Sequence, residues 1–303
     1  MTIARATWTT QREEAVKRIR LIVNGDDFGL SEPVNEGIIR AFKEGVLTSC
    51  SLMVTGDAFD QAVALARENP RLAVGIHLVT AMGRSVLPKR EIPSLVDEEG
   101  RFSDNPALAG LKYYFWPSAR REIRRELSAQ FSKYQSTGLP LSHVDGHLHM
   151  HVHPVIFNAA VTLGEKFGAK RMRVVQEERR LALAFDRCHI LSKTAHSLLF
   201  AGLAAYMKKK LKARGFLFPH RVYGDLQTGK MNEQYFLYAL ENLRSETNEI
   251  YFHPAVYGAG AALTDEQRQQ VIEFGALTSA TVIRRMNELG VELANYFDLD
   301  TAR

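Results

Sequence analysis

Short apolar runs alternate along this chain with stretches of helical spacing. Residues 20–24 (RLIVN) read as a buried strand that stops at the polar run Gly25-Asp26-Asp27-Phe28-Gly29. Ser31 stands at a cap position ahead of Val34, Ile38, Ile39 and Phe42, which share one helical face, and Gly45 closes that helix. Residues 47–54 then read as a strand, 59–68 as a helix and 72–78 (LAVGIHL) as a strand. Residues 87–116, with Pro88, Pro93 and Pro106, read as a loop. Beyond it, 118–136 is an amphipathic helix carrying Ile123, Leu127 and Phe131. A strand over 141–147, a helix over 154–168 and a strand over 171–175 follow. After a helical stretch, the pattern predicts a helix over 232–244, a strand over 249–253, helices over 265–274 and 280–289, and a strand over 291–294.

Strand–helix alternation of this kind implies parallel strands with helices packed outside. The expectation is an α/β fold, a deformed (β/α)-barrel of fewer than eight parallel strands. With no internal repeat and no Gly/Ser linker, residues 1–303 read as a single domain with an inserted helical segment over about 179–215.

Composition adds limits. At 303 residues and 46% hydrophobic the chain can bury a sizeable core. A net charge of +5 is too mild to indicate nucleic-acid binding, and Lys208-Lys209-Lys210 is too short a run to be a footprint. Cys50 and Cys188 lie far apart and form no CxxC pair, as expected in a reducing compartment. The first twenty residues hold basic side chains but no apolar core of signal-peptide length. No stretch approaches the ~20 apolar residues of a spanning helix. The expectation is a cytoplasmic protein, at most peripheral at the inner face of the cytoplasmic membrane.

Three predicted strands end in residue types that metal sites use: Asp26-Asp27, His77, and His143-Val-Asp-Gly-His147. In parallel α/β architectures functional groups gather at the carboxyl ends of strands. Two imidazoles and a carboxylate suffice to hold a catalytic divalent ion with room for water and substrate. An isolated Asp-Asp pair serves as well in a helix cap, and a lone histidine in an apolar strand is more often a core residue than a ligand. The third segment shifts the balance. From His143 to His153 every odd position is His or Asp, and the even positions are apolar apart from Gly146. Exposure to solvent alone would not select imidazole so often. A straight run of that length would span ~33 Å, so one ion takes at most one or two of these side chains. His149, His151 and His153 are expected in the following loop, near the site or exposed. His253, held between an apolar strand and Pro254, is a candidate acid.

These motifs resemble the YdjC-like (ChbG-type) carbohydrate deacetylases. The matching segments are LIVNGDDFGLSEPVNEGI, GVLTSCSLMV, AVGIHL, LSHVDGHLHMHVHP and EIYFHPA, in the family's order. The resemblance implies a barrel-like fold with fewer than eight strands and hydrolytic removal of acetyl groups from N-acetylated sugars. It implies Asp27, His77 and His147 as metal ligands, Asp26 as base and His253 as acid, with Gly25 standing where the family usually has alanine. Two nitrogen ligands favour zinc over magnesium, whereas the family is often described with magnesium, so the expected cofactor is one divalent ion, Zn2+ or Mg2+.

The C-terminal half, with an apolar helical segment, a basic run, RVYG and then EIYFHPA, is similar to the hopanoid-biosynthesis-associated (HpnK-type) branch. That resemblance implies an N-acetylglucosaminyl hopanoid glycolipid as substrate, with soluble chito-oligosaccharides as the alternative. Residues 198–214 (LLFAGLAAYMKKKLKAR) have the apolar-then-basic character of an interfacial helix, and an ordinary helix covering the barrel would look similar. Tyr113, Tyr114, Phe115 and Trp116 form a second apolar cluster that could line a path for a polycyclic tail. Peripheral contact with an anionic membrane surface is therefore expected, no nucleic-acid partner is, and the oligomeric state stays open.

Overall fold

The computed structural model describes residues 19–301; the reading of the first eighteen residues lies outside the described part. Its sheet is parallel throughout. The strands are β1 (Ile19–Phe28), β2 (Ser49–Leu52), β3 (Ala73–Leu78), β4 (Val144–Gly146), β5 (Arg221–Tyr223), β6 (Thr247–Phe252) and β7 (Val291–Ala294). They run in the order β4-β3-β2-β1-β6-β5, with β7 beside the first half of β1. The expected α/β barrel of fewer than eight parallel strands is the fold observed. Every residue of β2, β3 and β6 is buried, because helices cover the outer face while the inner face is packed.

The strand expected over residues 171–175 is not formed as such. These residues form only isolated parallel bridges, Val144 with Met172 and Arg171 with Leu217. Arg173 N donates to Val144 O (3.0 Å) and Val222 N to Gln176 O (3.3 Å). This irregular segment thus links edge strand β4 to edge strand β5 and carries Arg173 into the interior, where it is fully buried.

Around the sheet lie α1 (Glu32–Glu44), α2 (Phe59–Glu68), α3 (Pro106–Phe115), α4 (Pro117–Ser136), α5 (Pro154–Lys166), α6 (Arg179–Phe185), α7 (Ile190–Ala213), α8 (Glu233–Glu241), α9 (Asp265–Leu277) and α10 (Ala280–Glu288). Helix α3 is a correction to the loop expected over 87–116. Asn105 caps it, accepting from Leu108 N (3.0 Å), and Pro106 fits its first turn, where no amide partner is needed. Proline suits a loop and the first turn of a helix equally, and here Pro106 opens a helix. Ser31 precedes α1 as expected but makes no side-chain capping bond.

The loop expected for His149, His151 and His153 takes a specific form. Strand β4 stops at Gly146, and His147–Val152 is a 3-10 turn with Leu148 (φ 52°) and His149 (φ 55°) in the left-handed region. The two-residue alternation is not a strand face. The turn folds the run back on itself, so one segment delivers histidines to several depths of the interior.

His143 shows how tightly the inner face is filled. Its ring stacks on Tyr296 with centroids 3.8 Å apart, accepts from Ser142 Oγ at Nδ1 (2.7 Å) and donates from Nε2 to Ser51 Oγ (3.1 Å). Ser51 in turn donates to Asp145 (2.6 Å), which fixes this tautomer. Burial holds its pKa down to about 3, so it is a neutral core histidine. A Cβ on Gly75 of β3 would overlap the His143 ring, which has nowhere to move. Gly75→Ala is therefore expected to cost ~1–3 kcal/mol through overpacking. Urea unfolding measures this; an unchanged midpoint would show that the ring has room.

Candidate active site

Consecutive side chains of a strand normally point to opposite faces. At the end of β1 this rule is broken. Pairing with β2 holds through Gly25–Cys50 and slips before Phe28–Leu52, and Asp27 takes a left-handed backbone (φ 66°). The irregularity turns both Asp26 and Asp27 into the interior, where each is nearly inaccessible. Strain of this kind in a non-glycine residue persists only where its surroundings hold it in place.

The two carboxylates meet different partners. Asp27 Oδ1 lies 2.9 Å from His147 Nδ1 and 3.2 Å from His77 Nε2. One donor atom from each of these residues falls within 4.8 Å of the others, a group that could hold a metal ion. Strands β3 and β4 pair with His77 opposite Asp145, so His77 Nδ1 reaches Asp145 Oδ1 at 2.8 Å. A ligating histidine held by a carboxylate through its other nitrogen is the usual support of metal sites. The donor set and its backing fit a divalent ion.

Asp26 is bound by Arg173 instead. The guanidinium meets Asp26 Oδ2 at 2.7 Å and Oδ1 at 2.8 Å, Glu249 Oε1 at 2.7 Å and Asp145 Oδ2 at 3.0 Å. Asn24 Nδ2 also donates to Asp26 Oδ1 (2.8 Å). Burial alone would raise the Asp26 carboxyl, but Arg173 holds it below its usual range. Asp27 is likewise raised by burial, and His147 and His77 bring it well below that range. Burial disfavours charge on His77 too, yet Asp145 and Asp27 push it up to about 10. The pocket thus concentrates negative charge enough to hold a proton on His77, and a cation that binds there must displace it.

His253 follows β6. Its Nδ1 is 3.7 Å from Glu273 Oε2 on α9, and the same carboxylate accepts from the His253 amide at 2.6 Å. The side chain remains 27% exposed, so it faces both Glu273 and the opening of the site. Burial lowers its pKa, but Glu273 and, behind it, Asp27 and Asp26 push it up to about 9. An imidazole charged at neutral pH is a proton donor.

Of the other histidines in the run, His149 and His151 are buried and His153 is half-buried. His149 Nε2 is 2.9 Å from Tyr251 Oη, His151 is almost fully buried with its pKa lowered by burial to about 4, and His153 packs against Tyr113 and Tyr114. The sequence reading singled out neither Arg173, Glu249 nor Glu273. A lone arginine and a lone glutamate inside apolar strand patterns were the available signals, since such charges are rarely buried without partners.

Residues 20–288 match the model of the YdjC-like protein family. The chain belongs to that family. A carbohydrate deacetylase from Brevibacillus brevis is 34% identical over 291 residues, covering 93% of this chain and 100% of the relative. A chitooligosaccharide deacetylase from Serratia marcescens is 29% identical over 289 residues, 92% and 98% of the two chains. Among solved structures, a protein from Enterococcus faecalis V583 described as a putative cellobiose-phosphate cleavage protein aligns with a TM-score of 0.67. It is 25% identical, with 93% of this chain and 99% of that one covered.

The electrostatics of His253 can be measured directly in this YdjC-like protein. Because its pKa is raised, the charged ring persists below that value and is lost as pH rises through it. NMR titration of the metal-free protein should place His253 near pH 9, and Glu273→Gln should shift it downward. A wild-type titration at or below 6.5 would contradict the assigned pairing.

Proposed function

We propose that the protein is a metal-dependent hydrolase that removes the acetyl group from an N-acetylglucosaminyl unit, breaking a C–N amide bond. The observation that carries this reading is the convergence of Asp27, His77 and His147, with His77 backed by Asp145, beside an ionised Asp26. The relatives named carbohydrate deacetylase match this chain along nearly its whole length.

In this reading Asp27, His77 and His147 hold one divalent ion. When bound, the ion supplies Lewis-acid polarisation of the acetamide carbonyl and offsets charge developing on its oxygen. Two imidazoles and one carboxylate suit zinc, and magnesium would be the less well matched occupant. Asp26 takes a proton from the attacking water. Its carboxylate is oriented by Arg173 and Asn24, so little reorganisation is needed as the reaction proceeds. His253 gives a proton to the leaving amine, without which that nitrogen departs poorly. Glu273 keeps the imidazole charged for this step.

For the substrate, the similarity to the hopanoid-associated branch supports an N-acetylglucosaminyl hopanoid glycolipid, with peripheral contact at an anionic membrane surface. No helix among the described residues is long and apolar enough to cross a membrane, so a lipid-linked sugar would be met at the surface. The second reading, deacetylation of soluble chito-oligosaccharides, is favoured by the name of the Serratia relative. It uses the same reacting groups.

Mass-spectrometric detection of acetate loss from diacetylchitobiose and from lipid-linked N-acetylglucosamine, with metal content determined on the same preparations, tests both. Asp26→Asn should retain metal and lose ~10²–10⁴-fold in turnover, in the range of a missing general base. His77→Ala should lose metal and turnover together. Full turnover by Asp26→Asn would remove Asp26 from the mechanism, and full metal content in His77→Ala would remove His77 from the ligand set.

A further inference from the structure

Most surface helices turn polar residues outward. Helix α3 does the reverse. Ala109, Gly110 and Tyr113 face the protein, while Leu108, Leu111 and Phe115, at positions i, i+3 and i+7, share the exposed face. Phe115 is 63% exposed, and Trp116 continues the patch. Tyr113, expected in this cluster, is buried, with its hydroxyl on Thr80 O (2.6 Å).

Helix α7 repeats the inversion. Leu191 and Leu198, seven residues apart on one face, are 84% and 61% exposed, and Leu199 lies alongside. Ala204, Met207 and Leu211, further along the helix, anchor it to the core. Both helices pack against the 3-10 turn that begins with His147. At the turn itself Leu148, next to the candidate ligand, is 45% exposed. Exposed apolar side chains therefore stand on two helices that flank the metal group and on the turn between them. Large exposed apolar groups gathered around one turn in this way mark interaction sites.

Charge selects among partners. Neither α3 nor α7 contains a single Asp or Glu, whereas together they carry Lys112, Lys193, Lys208, Lys209, Lys210 and Lys212. Lys193 is answered by Asp186, and Lys208 and Lys210 lean on Gln176 and Asn158, neither of which carries charge. Apolar side chains presented among uncompensated lysines complement an anionic lipid surface, where each lysine near the headgroups adds ~1 kcal/mol of attraction.

We propose that the α3–turn–α7 rim is a docking face for an anionic phospholipid bilayer, and that it presents the metal group to substrates at the headgroup layer. The inference deepens the lipid-linked reading of the substrate and rests on it for its purpose, although the surface itself is defined by α3 and α7 alone. Leu108, Leu111, Phe115, Trp116, Leu191 and Leu198 enter the interface, and the lysines of α7 lie along it.

Co-sedimentation of the full chain with vesicles of phosphatidylglycerol and phosphatidylcholine, against pure phosphatidylcholine, tests the face. Binding should require phosphatidylglycerol and weaken as salt is raised. Leu111→Ser/Phe115→Ser and Leu198→Ser/Leu199→Ser should each lower it at least ~10-fold, since each removes two large apolar groups from the interface. Both pairs are exposed and outside the reacting groups, so hydrolysis of diacetylchitobiose and the thermal midpoint should stay unchanged. Absence of wild-type binding, or equal binding by both variants, overturns the docking face. So does a concentration-dependent dimer that the variants abolish without any vesicle binding, which would give the patch to a second copy of the chain. Turnover of lipid-linked N-acetylglucosamine dispersed in detergent separates the two questions. If it persists without vesicle binding, the docking face fails and the substrate reading stands; if vesicles bind and turnover is absent, the substrate reading fails.

Discussion

One buried guanidinium organises the inside of this barrel. Arg173 reaches Asp26 from β1, Asp145 from β4 and Glu249 from β6, and its guanidinium carbon lies 4.8 Å from the centre of the Tyr251 ring. Burial alone would lower its pKa, but the three carboxylates hold it well above the usual value. A charge in this position is tolerable only because it is fully answered, and removing one partner from such a cluster typically costs ~3–5 kcal/mol. Arg173 comes from the irregular segment between β4 and β5, so the same residue joins strands that are distant along the sheet. Tyr296 donates to the far oxygen of Glu249 (2.5 Å) and stacks on His143, which extends the network to the base of the barrel.

The division of labour proposed for Asp26 and Asp27 follows from that constraint. The backbone irregularity delivers both carboxylates to one pocket, and Arg173 claims the first on both of its oxygens. Asp27 has no such cation and meets only imidazole nitrogens. Asp26, His77 and Asp145 also bring one donor atom each within 4.8 Å, but both carboxylates of that group already have Arg173 as counter-ion. The group lacking a permanent cation is Asp27, His77 and His147. Electrostatics and geometry therefore both favour the proposed ligand set.

Much of the fold was legible because buried parallel strands read as apolar runs and their carboxyl ends as abrupt polarity. The positions of Asp26-Asp27, His77 and His253 at such ends needed no more than that pattern. What hid the rest is specific. Asn105-Pro106 is a helix start composed of residues that also make loops. The His143 to His153 alternation matches a strand period, yet two left-handed residues, Leu148 and His149, convert it to a turn, and no local propensity announces them. Arg173 and Glu249 serve a long-range cluster, so their meaning depends on partners far outside their own local segments. The exposed leucines of α3 and α7 are apolar at helical spacing, and only the fold reveals that this spacing faces outward.

The assignment of the metal group is tested most directly by anomalous X-ray scattering from crystals of the metal-loaded protein. The ion should lie on Asp27, His77 Nε2 and His147 Nδ1 at ~2.0–2.2 Å, with Asp26 still paired to Arg173. An ion held instead by Asp26, His77 and Asp145, with Arg173 displaced, would contradict the division of roles between the two aspartates.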